Sequence, residues 1–153
     1  MDKIYITFGS SEYKPDLLRS AVCKTEPRRD KPNGLWASPK DAGISWESWC
    51  RSEKFRLSTL DESFEFTLSN GAKILEIHDP EDIIEYVLPV NERFFAYKLD
   101  HEALRQDYDG MELFLSDNYQ ALRWDKYDIF YTWDCDSIVI WNPDVIKPLK
   151  LSA

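Results

Sequence analysis

Two carboxylates, Asp134 and Asp136, stand at the mouth of an apolar run, Ser137-Ile138-Val139-Ile140. Residues two apart in extended chain share a face, so both acids are expected to point one way. Acids placed like this could bind a cation or stabilise a developing positive charge. The plainer alternative is that they cap a strand. No third ligand is obvious in sequence, and no metal site is expected. Trp36, Trp46 and Trp49 could wall a slot for a flat ring, or they could fill the core. Between Lys14 and Lys31 six bases meet three acids, whereas residues 100–136 carry ten acids and three bases. The basic stretch, with Arg19, Arg28 and Arg29, could hold a phosphate on an acidic chain. It could equally be a solvated loop.

Other chemistries find less support. A cysteine nucleophile would need Cys50 or Cys135 beside His78 or His101, and no spacing brings them together. There is no GxSxG elbow, no CxxC pair, no GxGxxG turn and no Walker loop.

The elements that must position these residues are short. Ile4-Tyr5-Ile6-Thr7-Phe8 reads as a strand stopped by Gly9-Ser10-Ser11. Residues 13–31 read as irregular, punctuated by Pro15 and Pro27. Gly34 to Ser38 reads as a short strand between prolines. Ser45 with Ser48 offers N-cap chemistry for a helix whose Trp46, Trp49 and Cys50 share a face. Ser63 to Leu68 alternates with period two, and Asn70-Gly71 before Lys73 to Ile77 predicts a hairpin. Asp79-Pro80-Glu81-Asp82 starts a helix that runs to about Val87, and Asp100 to Tyr108 forms another. Met111 to Leu115, Ile129 to Trp133 and Ser137 to Trp141 read as strands. Six or seven short strands with three short helices predict an α+β fold, not a doubly wound nucleotide-binding sheet.

The whole chain of 153 residues has the size of one domain, 1–153, able to bury a core. A net charge of −9 disfavours sequence-blind nucleic-acid binding and an anionic membrane surface. No apolar run approaches a membrane span, and the opening residues lack the pattern of a signal peptide. Three scattered cysteines suggest a reducing, cytoplasmic setting.

The order of the motifs resembles the ADP-ribosyltransferase superfamily, in its poly-ADP-ribose-polymerase and diphtheria-toxin branch. Phe8-Gly9-Ser10 stands where that branch has a His-Gly-Ser/Thr strand end. Gly34 to Ser38 stands for its Gly-Ile-Tyr-Phe-Ala strand, Ser45 to Trp49 for its Ser-x-x-Tyr helix, and Asp136 to Ile140 for its Glu-Tyr-Ile-Val-Tyr strand. Asn142 to Ile146 also looks like the segment after the last strand. Three positions depart from the pattern: Phe8 (or Thr7, if the register slips) replaces His, Trp36 replaces Tyr, and Asp136 replaces Glu.

The resemblance implies two small, packed, mostly antiparallel sheets with NAD in a cleft between them. The nicotinamide amide would meet Gly9 and Ser45, and its ring would stack between Trp36 and Trp46 or Trp49. Asp136 would stabilise the oxocarbenium-like ribose, with Asp134 as a second candidate. Arg19, Arg28 and Arg29 would offset the pyrophosphate. The implied activity is transfer of ADP-ribose to a macromolecule, such as a protein acceptor, or hydrolysis of NAD. The alternative is a catalytically inactive module that binds a nucleotide or a partner protein on the same fold.

Overall fold

The computed structural model describes residues 2–24, 26–91 and 93–149. Nine strands, four α-helices and several 3-10 turns occur among them, an α+β arrangement. Seven strands form one mixed sheet: β1 (Tyr5–Phe8), β2 (Leu35–Pro39), β3 (Ser63–Leu68), β4 (Ile74–Ile77), β7 (Gly110–Leu113), β8 (Ser137–Ile140) and β9 (Ile146–Pro148). Their spatial order is β4-β7-β8-β2-β1-β3-β9, and β5 (Val87–Pro89) and β6 (Tyr97–Leu99) make a separate ribbon. Only β4 and β7 pair in parallel within that sheet.

Instead of the two packed sheets that the resemblance implies, the structure has one seven-stranded sheet with two halves. They are joined where β1 meets β2, at Tyr5–Pro39 and Ile6–Ser38. Beyond that pair the ladder stops. The Thr7 hydroxyl, a side chain, bridges to the Trp36 carbonyl at 2.7 Å. Gly9, at φ +96°, then swings the chain aside, in a conformation that favours glycine. Across the split from Gly9, Gly34 lets the start of β2 approach β8: a Cβ there would strike the Ile140 carbonyl.

Strands β7 and β8 are buried at every position, and apart from Glu112 and Ser137 their residues are apolar, without the alternation of a half-exposed strand. The core they belong to also contains Phe64, Phe66, Leu104, Leu122, Phe130 and Trp133.

The local signals hold best where a cap or turn dictates them. Helix α2 (Trp46–Glu53) has the Ser45–Ser48 capping box, each hydroxyl accepting from the other residue's amide. Asp79 caps the Pro80–Tyr86 segment, which is a 3-10 helix. Helix α3 (His101–Asp107) is capped by Asp100.

Three expectations are corrected. Residues 13–31 contain a helix, α1 (Pro15–Lys24). The hairpin at Asn70-Gly71 does not form, because β3 is paired on both edges, by β1 and β9, while β4 joins β7. Ile129 to Trp133 is no strand. It is a loop with Ile129, Phe130 and Trp133 buried and Tyr131 exposed, and Asp125 accepts from the Tyr127, Ile129 and Phe130 amides. Helix α4 (Tyr119–Arg123) completes the set.

Candidate functional site

A cavity of about 440 Å³ opens where β1 and β2 part. One wall is the end of β1, Ile6 to Gly9, and the facing wall is Trp36, Ala37 and Ser38 of β2. Trp46 closes one side from the start of α2, with Arg56 and Thr59 from the loop that follows. Lys31 and the segment Trp133-Asp134-Cys135, with Ser137, complete the lining. The volume suits a small ligand or one half of a dinucleotide.

The aromatic surfaces are held from behind. Trp36 meets the buried Trp133 edge-on at 4.8 Å. Trp46 stacks on Trp49 at 5.2 Å and 18°, and Phe55 packs edge-on against both. Trp49 is thus a support for Trp46 and does not line the cavity. Ser45 is likewise occupied in capping α2, and the Ser10 hydroxyl donates to the Glu12 carbonyl. Neither lines the cavity. Phe8 and Gly9 do, but the Gly9 N–H is already shared between the Thr59 and Glu62 carbonyls, at 3.1 and 2.9 Å.

The two acids part company. A bend at Cys135-Asp136 breaks the alternation expected of extended chain. Asp134 lines the cavity, whereas Asp136 is 4 % exposed and turned into the fold. The Asp136 carboxylate accepts from the Ile44 amide (3.1 Å), the Ser116 amide (2.8 Å) and the Ser116 hydroxyl (2.6 Å). Its own amide donates back to the Ile44 carbonyl at 2.8 Å. This is a loop staple, and the geometry gives Asp136 no face on the cavity.

Burial raises the Asp134 carboxyl above its usual range, opposed by the nearby Lys31 and Arg123 cations. The Arg123 guanidinium lies 3.9 Å from it. Burial also lowers the Lys31 ammonium, with Asp134 pulling the other way. Lys31 sits 5.8 Å from the centre of the Trp36 ring. Burial raises the Cys135 thiol, whose sulfur lies 3.2 Å from the Ser137 hydroxyl.

The three arginines singled out from the sequence lie elsewhere. Arg19 pairs with Asp16 and, at 2.6 Å, with Asp144. Arg28 and Arg29 line a different hollow. The cations of the first cavity are Lys31 and Arg56. Lys31 belongs to the basic stretch. Arg56 carried no sequence signal, since it reaches the site through a left-handed backbone at φ 48°. The histidines are outside too: His78 bonds Asp117 at 2.8 Å, and His101 meets the Arg28 carbonyl at 2.7 Å. No helix among the described residues is long and apolar enough to cross a membrane.

Comparison of the chain with protein families, with curated proteins and with solved structures finds no match.

Proposed function

We propose that the cavity at the β1–β2 split binds an NAD- or ADP-ribose-type nucleotide, as an ADP-ribosyltransferase-like site that captures its ligand without turning it over. One observation carries the reading. The Gly9 turn, Trp36, Trp46 and the segment before β8, which the motif order groups together, surround one hollow. Its chemistry suits such a ligand. Indole faces can stack a flat ring, Lys31 and Arg56 can meet phosphate charge, and Ser38, Thr59 and Ser137 bring hydroxyls. Because the Gly9 N–H is engaged, a carboxamide at this turn would donate to the glycine carbonyl instead of accepting from its amide.

The state of the acids favours capture over cleavage. Asp136 is consumed by the fold. Cleavage of the glycosidic bond would send its electron pair to nicotinamide, leave a cationic ribose, and end with addition of a water or acceptor hydroxyl and loss of its proton. Asp134 is the carboxylate that could stabilise that cation, but it already faces Lys31 and Arg123.

Titration with NAD and with ADP-ribose, followed by tryptophan fluorescence, tests the reading. Saturable quenching without nicotinamide release is expected. No response at millimolar ligand would overturn it. Release of nicotinamide that Asp134→Asn abolishes would replace capture by the enzymatic reading.

A further inference from the structure

A second hollow, of about 620 Å³, lies on the far side of the 30–31 and 132–133 segments from the first. Lys31 and Trp133 line the first cavity, whereas Asp30 and Thr132 line the second. Its polar centre is Asp30, which is 2 % exposed. Thr132 Oγ1 donates to Asp30 Oδ2 at 2.6 Å, and Trp133 Nε1 donates to the Asp30 carbonyl at 2.8 Å. The side chain is therefore held in place. Yet Oδ1 is buried and has no hydrogen-bond partner. The nearest cation, Arg28 Nε, stands at 3.6 Å, beyond a good hydrogen bond. A buried carboxylate oxygen left without a donor is costly. The Arg28 ion pair offsets part of that cost, and a ligand that brought a donor to Oδ1 would offset more.

The rim limits what that donor can belong to. Arg29 is committed, at 3.6 Å over the Phe95 ring and 3.4 Å from Asp128, and also to the Tyr97 carbonyl. Arg28 is paired more loosely: only its Nε faces Asp30, at 3.6 Å, and its side chain is 68 % exposed, so its terminal nitrogens can turn to a ligand. Phe95 and Tyr131 stand on the rim as partly exposed rings. A ligand must then offer N–H donors to a carboxylate beside an acceptor for a guanidinium, on a flat frame that aromatic edges can flank. A free cation is disfavoured by the two guanidinia.

We propose that this hollow binds a guanine base. Its N1–H and N2 amino group would donate to Asp30, and its O6 and N7 would accept from Arg28, a pairing arginine makes readily. Aromatic rims and polar edges of this kind suit an unstacked base. The site is separate from the proposed NAD site and does not depend on it.

The test is titration of the full chain with GMP, with AMP, and with short single-stranded RNAs that either contain or lack guanine, followed by ligand-observed NMR. GMP is expected to bind about tenfold more tightly than AMP, which presents the wrong edge to Asp30. Asp30→Asn and Arg28→Ala should each weaken GMP binding about tenfold. Arg28→Ala alters an exposed side chain and tests the site even if Asp30→Asn fails to fold. Binding of guanine-containing RNA but not GMP keeps the base assignment and makes a polynucleotide its source. Equal binding of AMP, or binding of neither GMP nor RNA, overturns the proposal. NAD quenching of tryptophan fluorescence, measured alongside, reports the other cavity independently.

Discussion

Ser116 grips Asp136 twice, with its amide on Oδ1 at 2.8 Å and its hydroxyl on Oδ2 at 2.6 Å. Together with the Ile44 amide, this ties three remote stretches of chain together. Gly43 is part of the arrangement, since a Cβ there would press on the Ser116 side chain.

Asp136→Ala is therefore expected to act on stability. It removes three part-buried hydrogen bonds to a carboxylate, from the Ile44 amide and from the Ser116 amide and hydroxyl, at a cost of about 3 kcal/mol. That corresponds to a melting temperature lower by about 6–12 °C in a chain of this length. Thermal unfolding checks this. An unchanged melting point combined with lost ligand binding would show that the carboxylate serves the cavity after all.

The tryptophans should separate by position. Trp46→Ala is expected to weaken NAD or ADP-ribose binding about tenfold, the low end of a base-stacking contribution. Trp49→Ala should weaken binding less and stability more, since Trp49 lies behind Trp46 and does not line the hollow. Calorimetric titration of the two variants, with thermal melts of each, distinguishes them.

Among the basic residues, Lys31→Ala should cost about tenfold in nucleotide affinity and flatten its salt dependence. Arg19→Ala should leave affinity unchanged, because its guanidinium is paired with Asp144 away from either hollow. Equal losses in both variants would mean that phosphate is held by the general field of the segment and not by one ammonium.

The sequence foretold the parts of this arrangement that local rules govern. The Ser45–Ser48 box, the Asp79 and Asp100 caps, and the strands at Tyr5–Phe8 and Ser137–Ile140 follow from residue types within one turn. The errors arise where distant chain competes. Asn70-Gly71 favours a hairpin, but β1 and β9 occupy both edges of β3. Asp134 and Asp136 have the spacing of one face, but the Ile44 and Ser116 amides pull Asp136 round. Arg56 enters the site through a backbone conformation that no propensity for arginine announces. The fold class was legible for this reason, whereas the division of labour between two neighbouring acids was not.

A pH prediction follows for Asp134. Its carboxyl is raised by burial, so the folded chain holds that proton more tightly than the unfolded chain. The stability this contributes is fully present below the ordinary aspartate value and is lost as pH rises through the raised one. Asp134→Asn should remove that loss. Denaturant unfolding of both proteins from about pH 4 upward should give a shallower decline for the variant. A parallel decline in the two would assign the slope to other acids, such as Asp125, which burial also raises.

The strand order has a consequence for how the molecule assembles. β8 lies between β7 and β2, so it alone bridges the β4–β7 pair to the remaining strands. Yet it follows both in the chain, β2 by 98 residues (from residue 39 to residue 137). During synthesis β4 and β7 on one side and β2, β1 and β3 on the other must wait, unconnected and with apolar faces bare, until this keystone emerges. Folding should accordingly be slow and late, with chaperone contact concentrated on the interval before residue 137 leaves the ribosome.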